Sequence, residues 1–174
     1  MKKFTGIFIL FFLILLYPQK ALANSDYVLP YPSLMPGNRL YLVQEIKENW
    51  MKYWYFGNFG QFTYNLNRAD KFLVEAKTLF EYKQYLLADR ALKKSDYFFG
   101  QIFIYLERAE AENKDISENK KILSQASLKH LEILENLKNE LPENFIWQPE
   151  KLSPTDIDIH QDINNSIKIR HEGI

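Results

Sequence analysis

Residues 59–112 read FGQFTYNLNRADKFLVEAKTLFEYKQYLLADRALKKSDYFFGQIFIYLERAEAE, and the fold turns on this stretch. Taken at steps of three and four, its first half carries Phe59, Phe62, Leu66, Ala69, Leu73, Ala76 and Phe80. Its second half carries Ala88, Leu92, Ser95, Phe99, Ile102, Leu106 and Ala109. Residues so spaced share one side of an α-helix. A stripe of that kind must be buried, and an antiparallel neighbour is the nearest partner. The pattern predicts a helical hairpin with helices over 59–81 and 84–113, turning near Tyr82-Lys83-Gln84. Tyr64, Asn67, Arg68, Lys71, Glu75 and Thr78 fall on the outer face of its first arm. Arg90, Lys94, Tyr97, Gln101, Ile104 and Arg108 fall on the outer face of its second.

Working outward, a helix is expected over 39–56, with Asn38 as its N-cap. Leu40, Val43, Ile46, Trp50, Tyr53 and Trp54 form its inward stripe, and Glu45, Glu48 and Lys52 face water. Downstream, Asp115 and Glu118 suit a capping box. The helix they open, over 116–141, turns Leu123, Ala126, His130, Leu134, Leu137 and Leu141 inward until Pro142 stops it. It is poorer in aromatics than its predecessors, which suggests a looser addition to a three-helix core. The expected class is therefore all-α: an antiparallel bundle of three core helices plus a fourth. Pro149 and Pro154 interrupt residues 142–174. There Ile159, Ile163 and Ile167 permit a short helix, and Asp156-Ile157-Asp158-Ile159 permits an extended stretch. A mostly irregular tail is expected.

At the other end, Met1-Lys2-Lys3 precedes ten unbroken apolar residues, Ile7 to Leu16, then Pro18 and Ala21-Leu22-Ala23. This is the layout of a secretory signal peptide over 1–23, cleaved after Ala23. The rival reading is an uncleaved anchor, but a spanning helix needs about 20 apolar residues. The mature chain is expected outside the cytoplasmic membrane, in the periplasm, on the cell surface or in the medium, with no stable span. Residues 24–37 hold Pro30, Pro32 and Pro36 and should run extended. Leu29, Leu34 and Met35 fit a strap over the bundle; the alternative is a proline–tyrosine ligand for a partner's aromatic groove.

The order Tyr27-Val28-Leu29-Pro30-Tyr31-Pro32-Ser33-Leu34-Met35-Pro36-Gly37, then Leu40-Tyr41, then Arg68-Ala69-Asp70-Lys71-Phe72-Leu73-Val74-Glu75-Ala76 and Leu87-Ala88 resembles the prokaryotic domain-of-unknown-function family 5667. The resemblance covers about residues 27–113. Ser33 stands where that family usually has Gly, Gly37 where it often has an acid, and Tyr82-Lys83-Gln84 where its turn usually holds a glycine. The resemblance implies an envelope-facing helical domain of bacteria or archaea and no assigned activity.

Chemistry is sparse. The absence of cysteine removes disulfides, thiolate catalysis, Cys-ligated metals and a lipidated N-terminal cysteine. Losing Lys2, Lys3 and Lys20 with the leader leaves 19 basic residues against 22 acidic. That overall balance attracts neither nucleic acid nor an anionic membrane. A di-iron bundle needs Glu-x-x-His on two helices, and none is present. His130 is the sole histidine of the expected bundle, with His160 and His171 in the tail; neither it nor Met51 suggests a cofactor, and none is expected. Ser117 and Lys120 match Ser-x-x-Lys without its companion motifs, and Glu107 with Glu110 reads as a solvated face.

Tyr41, Tyr55, Tyr64 and Tyr97 fall on polar faces and form the candidate partner surface, since exposed aromatics are enriched at interfaces. The leading expectation is a non-catalytic exported domain with a structural or protein-interaction role in the cell envelope, its partner another envelope protein. The alternative is a carrier of a small apolar or aromatic ligand, held among Trp50, Trp54, Phe72 and Phe98. A hydrolase using Ser117 and Lys120 ranks last.

Overall fold

The computed structural model describes residues 27–32, 34–151 and 153–174; the expected leader and its cleavage site at Ala23 lie outside them. Among the described residues the protein is an all-α bundle with a small β-hairpin. Its elements are α1 (Tyr41–Met51), α2 (Gly57–Glu81), α3 (Tyr85–Ala111), α4 (Ser117–Glu140), β1 (Asn144–Trp147), β2 (Thr155–Asp158) and α5 (Ile159–His171). None of these helices is long and apolar enough to cross a membrane.

The α2–α3 hairpin follows the stripes. All seven seam residues of α3, from Ala88 to Ala109, are buried, as are Phe62, Leu66, Ala69, Leu73, Ala76 and Phe80 of α2. The reversal is a Schellman motif: the Gln84 amide donates to the Leu79 carbonyl and the Lys83 amide to that of Phe80. Lys83 holds the left-handed φ of 58° that glycine usually takes. At the end of α3, Asn113 at the same φ repeats the motif, with the Lys114 amide on Ala109 and its own amide on Glu110.

Helix α4 is no loose addition. Leu123 and Ala126 join one core cluster with Phe62, Phe99 and Ile102. Ile133, Leu134 and Leu137 join the other with Leu73, Phe80 and Leu92. Nor is residues 142–174 an irregular tail. After Pro142, β1 pairs antiparallel with β2, with Phe145 opposite Ile157. Asp158 then caps α5, its Oδ1 accepting the Gln161 amide at 2.9 Å. Both local possibilities occur in succession: Asp156-Ile157-Asp158 is extended, and Ile159, Ile163 and Ile167 drive a helical face into the core. Short apolar repeats between prolines specify little by themselves; the groove between α3 and α4 supplies the partner that orders them.

The arm alternates over residues 27–30 as an extended chain does. Tyr27 and Leu29 turn toward the bundle and Val28 and Pro30 are exposed, and Tyr31, also exposed, breaks the alternation. Leu29 and Met35 pack on the core, which is the strap arrangement.

Candidate functional site

Two places carry chemistry that the bundle alone does not require: the seating of α1, and a polar cluster sealed between α2, α3, α4 and α5.

Helix α1 is seated on its polar side. Asn38, expected as its N-cap, instead forms a turn ahead of it, its Oδ1 accepting the Leu40 amide at 2.9 Å, and the N-cap position falls on Leu40 with no side-chain cap. The Tyr41 hydroxyl donates to Glu75 Oε1 at 2.9 Å. Glu48 Oε2 accepts from Arg68 and, at 2.5 Å, from Lys71 Nζ. Glu45 Oε1 accepts from Lys94 Nζ at 2.7 Å. Burial raises the pKa of Tyr41 and that of Glu75; the two share the bond, and the Glu75 charge adds to the rise at Tyr41. A cleft of about 190 Å³ remains beneath the helix, lined by residues that include Met51, Tyr64 and Arg68. The seat is therefore made of charges and hydrogen bonds rather than close apolar packing. After α1 the chain doubles back against α2 at Gly60, where a Cβ would lie 2.7 Å from the Tyr55 carbonyl carbon. Gln61 Nε2 clamps this turn by donating to the Tyr55 carbonyl at 2.6 Å.

This seating inverts the expected orientation of α1. The stripe predicted to face inward is the one in water: Val43, Ile46, Trp50, Tyr53 and Trp54 are 59 to 80% exposed, and Leu40, Leu42 and Phe56 lie open beside them. The cause lies on α2. The outer face read as solvated carries Arg68, Lys71 and Glu75, and these take Glu48 and Tyr41 of α1, while Lys94 of α3 takes Glu45. Arg68 and Glu75 end up buried.

The candidate tyrosine surface does not form. Tyr64 is buried, tilted against Tyr55 at 5.8 Å and edge-on to Phe98 at 6.2 Å. Tyr41 points into the seat, and Tyr55 is half-buried. Only Tyr97 of the four is exposed, edge-on to Phe98 at 5.3 Å. Nor do Trp50, Trp54, Phe72 and Phe98 converge. Phe72 is buried in a stack on Phe98 at 5.7 Å, while both tryptophans point outward. Ser117 Oγ donates to Asp115 Oδ1 and Lys120 Nζ reaches Glu110, so the Ser-x-x-Lys pair is spent on two separate carboxylates.

The sealed cluster begins at the arm. Asp70 accepts from the Tyr27 hydroxyl at 2.6 Å through Oδ2 and from His130 Nε2 at 2.8 Å through Oδ1. Arg170 donates through Nε to His130 Nδ1 at 3.4 Å, through Nη1 to Asp96, and through Nη2 to Ser95 Oγ at 2.8 Å. Ser95 Oγ in turn donates to the Ala69 carbonyl, and Ser166 Oγ to Asp96 Oδ2. Because Nδ1 accepts from a guanidinium, the ring's proton must sit on Nε2. His130 is therefore neutral, and its pKa is lowered, first by burial and then by the Arg170 charge, against the pull of Asp70.

His130, Arg170, Ser95 and Ser166 are all fully buried. The cluster ties four helices and the arm together. The sequence offered traces of it: Ser95 breaks an apolar seam, and Ser166 and Arg170 continue the spacing of Ile159 and Ile163. Among the described residues, no three histidine, aspartate or glutamate side chains converge as a metal site requires.

Comparison with protein-family models, with curated proteins and with solved structures found no match.

Proposed function

We propose that this protein is an exported, non-catalytic helical module of the cell envelope that works by docking, and that the outward face of α1 is its docking surface. One observation carries the reading: an amphipathic helix held by its charges, which with its flanking turns presents two tryptophans, a tyrosine and five aliphatic or aromatic neighbours to water. Exposed apolar patches of this extent mark interaction sites in soluble domains. The leader-like N-terminus and the resemblance of residues 27–113 to the envelope-facing family support the location.

Ile46→Glu and Trp50→Glu test it, because neither side chain contributes to the core. The wild-type protein should fractionate with the envelope, and both variants should be released while their far-UV circular dichroism is unchanged. Variants that fractionate like the wild type would defeat the proposal.

A further inference from the structure

Resting on the docking reading, we infer that the surface met by α1 is a lipid bilayer carrying anionic headgroups, with the helix lying flat in the interface. The argument is charge placement. Across residues 39–52 there are three basic residues, Arg39, Lys47 and Lys52, and two acids, Glu45 and Glu48. Both acids are turned inward and consumed by Lys94, Arg68 and Lys71. Arg39, Lys47 and Lys52 are exposed and make no ion pair with a described residue. Val43, Ile46, Lys47 and Trp50 share one side of α1 at helical spacing, and Arg39 and Trp54 are exposed in the turns at its two ends. The chain as a whole is neutral to acidic, yet this face is apolar, aromatic and purely basic. That is the composition of a helix lying in a membrane interface, and each basic residue near an anionic surface adds attraction.

The same charges argue against a partner of the chain's own kind. A second copy of the chain fits less well, because two such faces would oppose Arg39 and Lys47 to themselves with no acid between them.

The test uses the exported form of the protein carrying Trp147→Phe, so that Trp50 and Trp54 alone report. It is mixed with phosphatidylcholine vesicles prepared with and without phosphatidylglycerol. Co-sedimentation with the anionic vesicles and a blue shift of tryptophan emission are expected, both weakened by salt. Arg39→Gln and Lys47→Gln should each lower partitioning about fivefold, and Trp50→Glu should abolish it. Equal binding to both vesicle types would overturn the role of the charges. No binding to either, combined with a complex between proteins that crosslinks through position 50, would overturn the bilayer and leave the docking reading standing. No binding, no complex and unchanged envelope fractionation of the Trp50 and Ile46 variants would remove both.

Discussion

The cluster around Arg170 and the outer face of α1 each hold residues of the opposite character to their depth. In the first, an arginine, a histidine and two serines lie beyond the reach of water, and each finds a partner within the bundle. In the second, two tryptophans stand in water although polar and charged residues a half-turn away are covered. The two differ in what satisfies them. A buried charge must be answered inside the fold, because leaving it unpaired costs several kcal/mol. An exposed apolar face need not be answered by the fold at all. The cluster is thus complete in the isolated chain, and the face is complete only against something else.

The largest expected effect follows from that difference. Asp70→Ala removes the acceptor of both Tyr27 and His130 and leaves the Arg170 charge less compensated. It should cost about 3 kcal/mol or more in urea unfolding. A loss below about 1 kcal/mol would mean that water enters the cluster, and the contrast between the two regions would fail.

The pH dependence should have opposite signs in the two places. His130 has a lowered pKa, so the unfolded chain takes up a proton near pH 6.5 that the folded chain refuses. Its contribution is full above that pH and is lost as the pH falls, at no more than about 1.4 kcal/mol per pH unit. Glu75 beneath α1 has a raised pKa, from burial offset by its bond to Tyr41 and the nearby lysines. Its contribution is full below about pH 4.5 and is lost as the pH rises. Melts across pH 4 to 8 should therefore show a smaller loss on acidification below about pH 6.5 in His130→Gln, and a smaller loss as the pH rises above about 4.5 in Glu75→Gln. If His130→Gln leaves the acid side unchanged, the neutral histidine assigned here is wrong.

Glu48→Gln weakens the seat of α1 without touching the cluster. The open cleft below the helix lets water replace the lost pairs, so global stability should fall by only about 1 kcal/mol. Limited trypsin digestion should show the change instead, as severalfold faster cleavage after Lys47 and Lys52, mimicked in the wild type by high salt. Unchanged digestion would show that the ion pairs do not hold the helix.

The hairpin was legible because its seams are long, and every residue from Ala88 to Ala109 at the expected spacing is buried. The same reading failed at α1. Periodicity identifies the apolar side of a helix but not whether that side meets the core. Here the deciding residues, Arg68, Lys71 and Glu75, sit some twenty or more positions away and look like an ordinary wet face. The cluster was hidden for a related reason. Asp70, Asp96 and Arg170 are common surface residues, and only the docking of α5, which spacing alone left undecided, brings Arg170 between them.

The smallest expected effect separates the two accounts of α1 most sharply. If Ile46 were inward, as its spacing with Val43 and Trp50 suggests, Ile46→Ser would empty a core position and cost about 2–5 kcal/mol, the range for large-to-small core changes. In the structure Ile46 is 59% exposed and its neighbours on that face are open. The substitution should then move unfolding by no more than about 0.5 kcal/mol, the usual range for a surface site. It would even favour the isolated chain in solution by trimming a patch that promotes association. A loss near the core range would place the apolar side of α1 against the bundle and leave the docking surface without its helix. A negligible loss, beside the large cost of Asp70→Ala, would show that this fold protects its charges and leaves its tryptophans for a surface outside it.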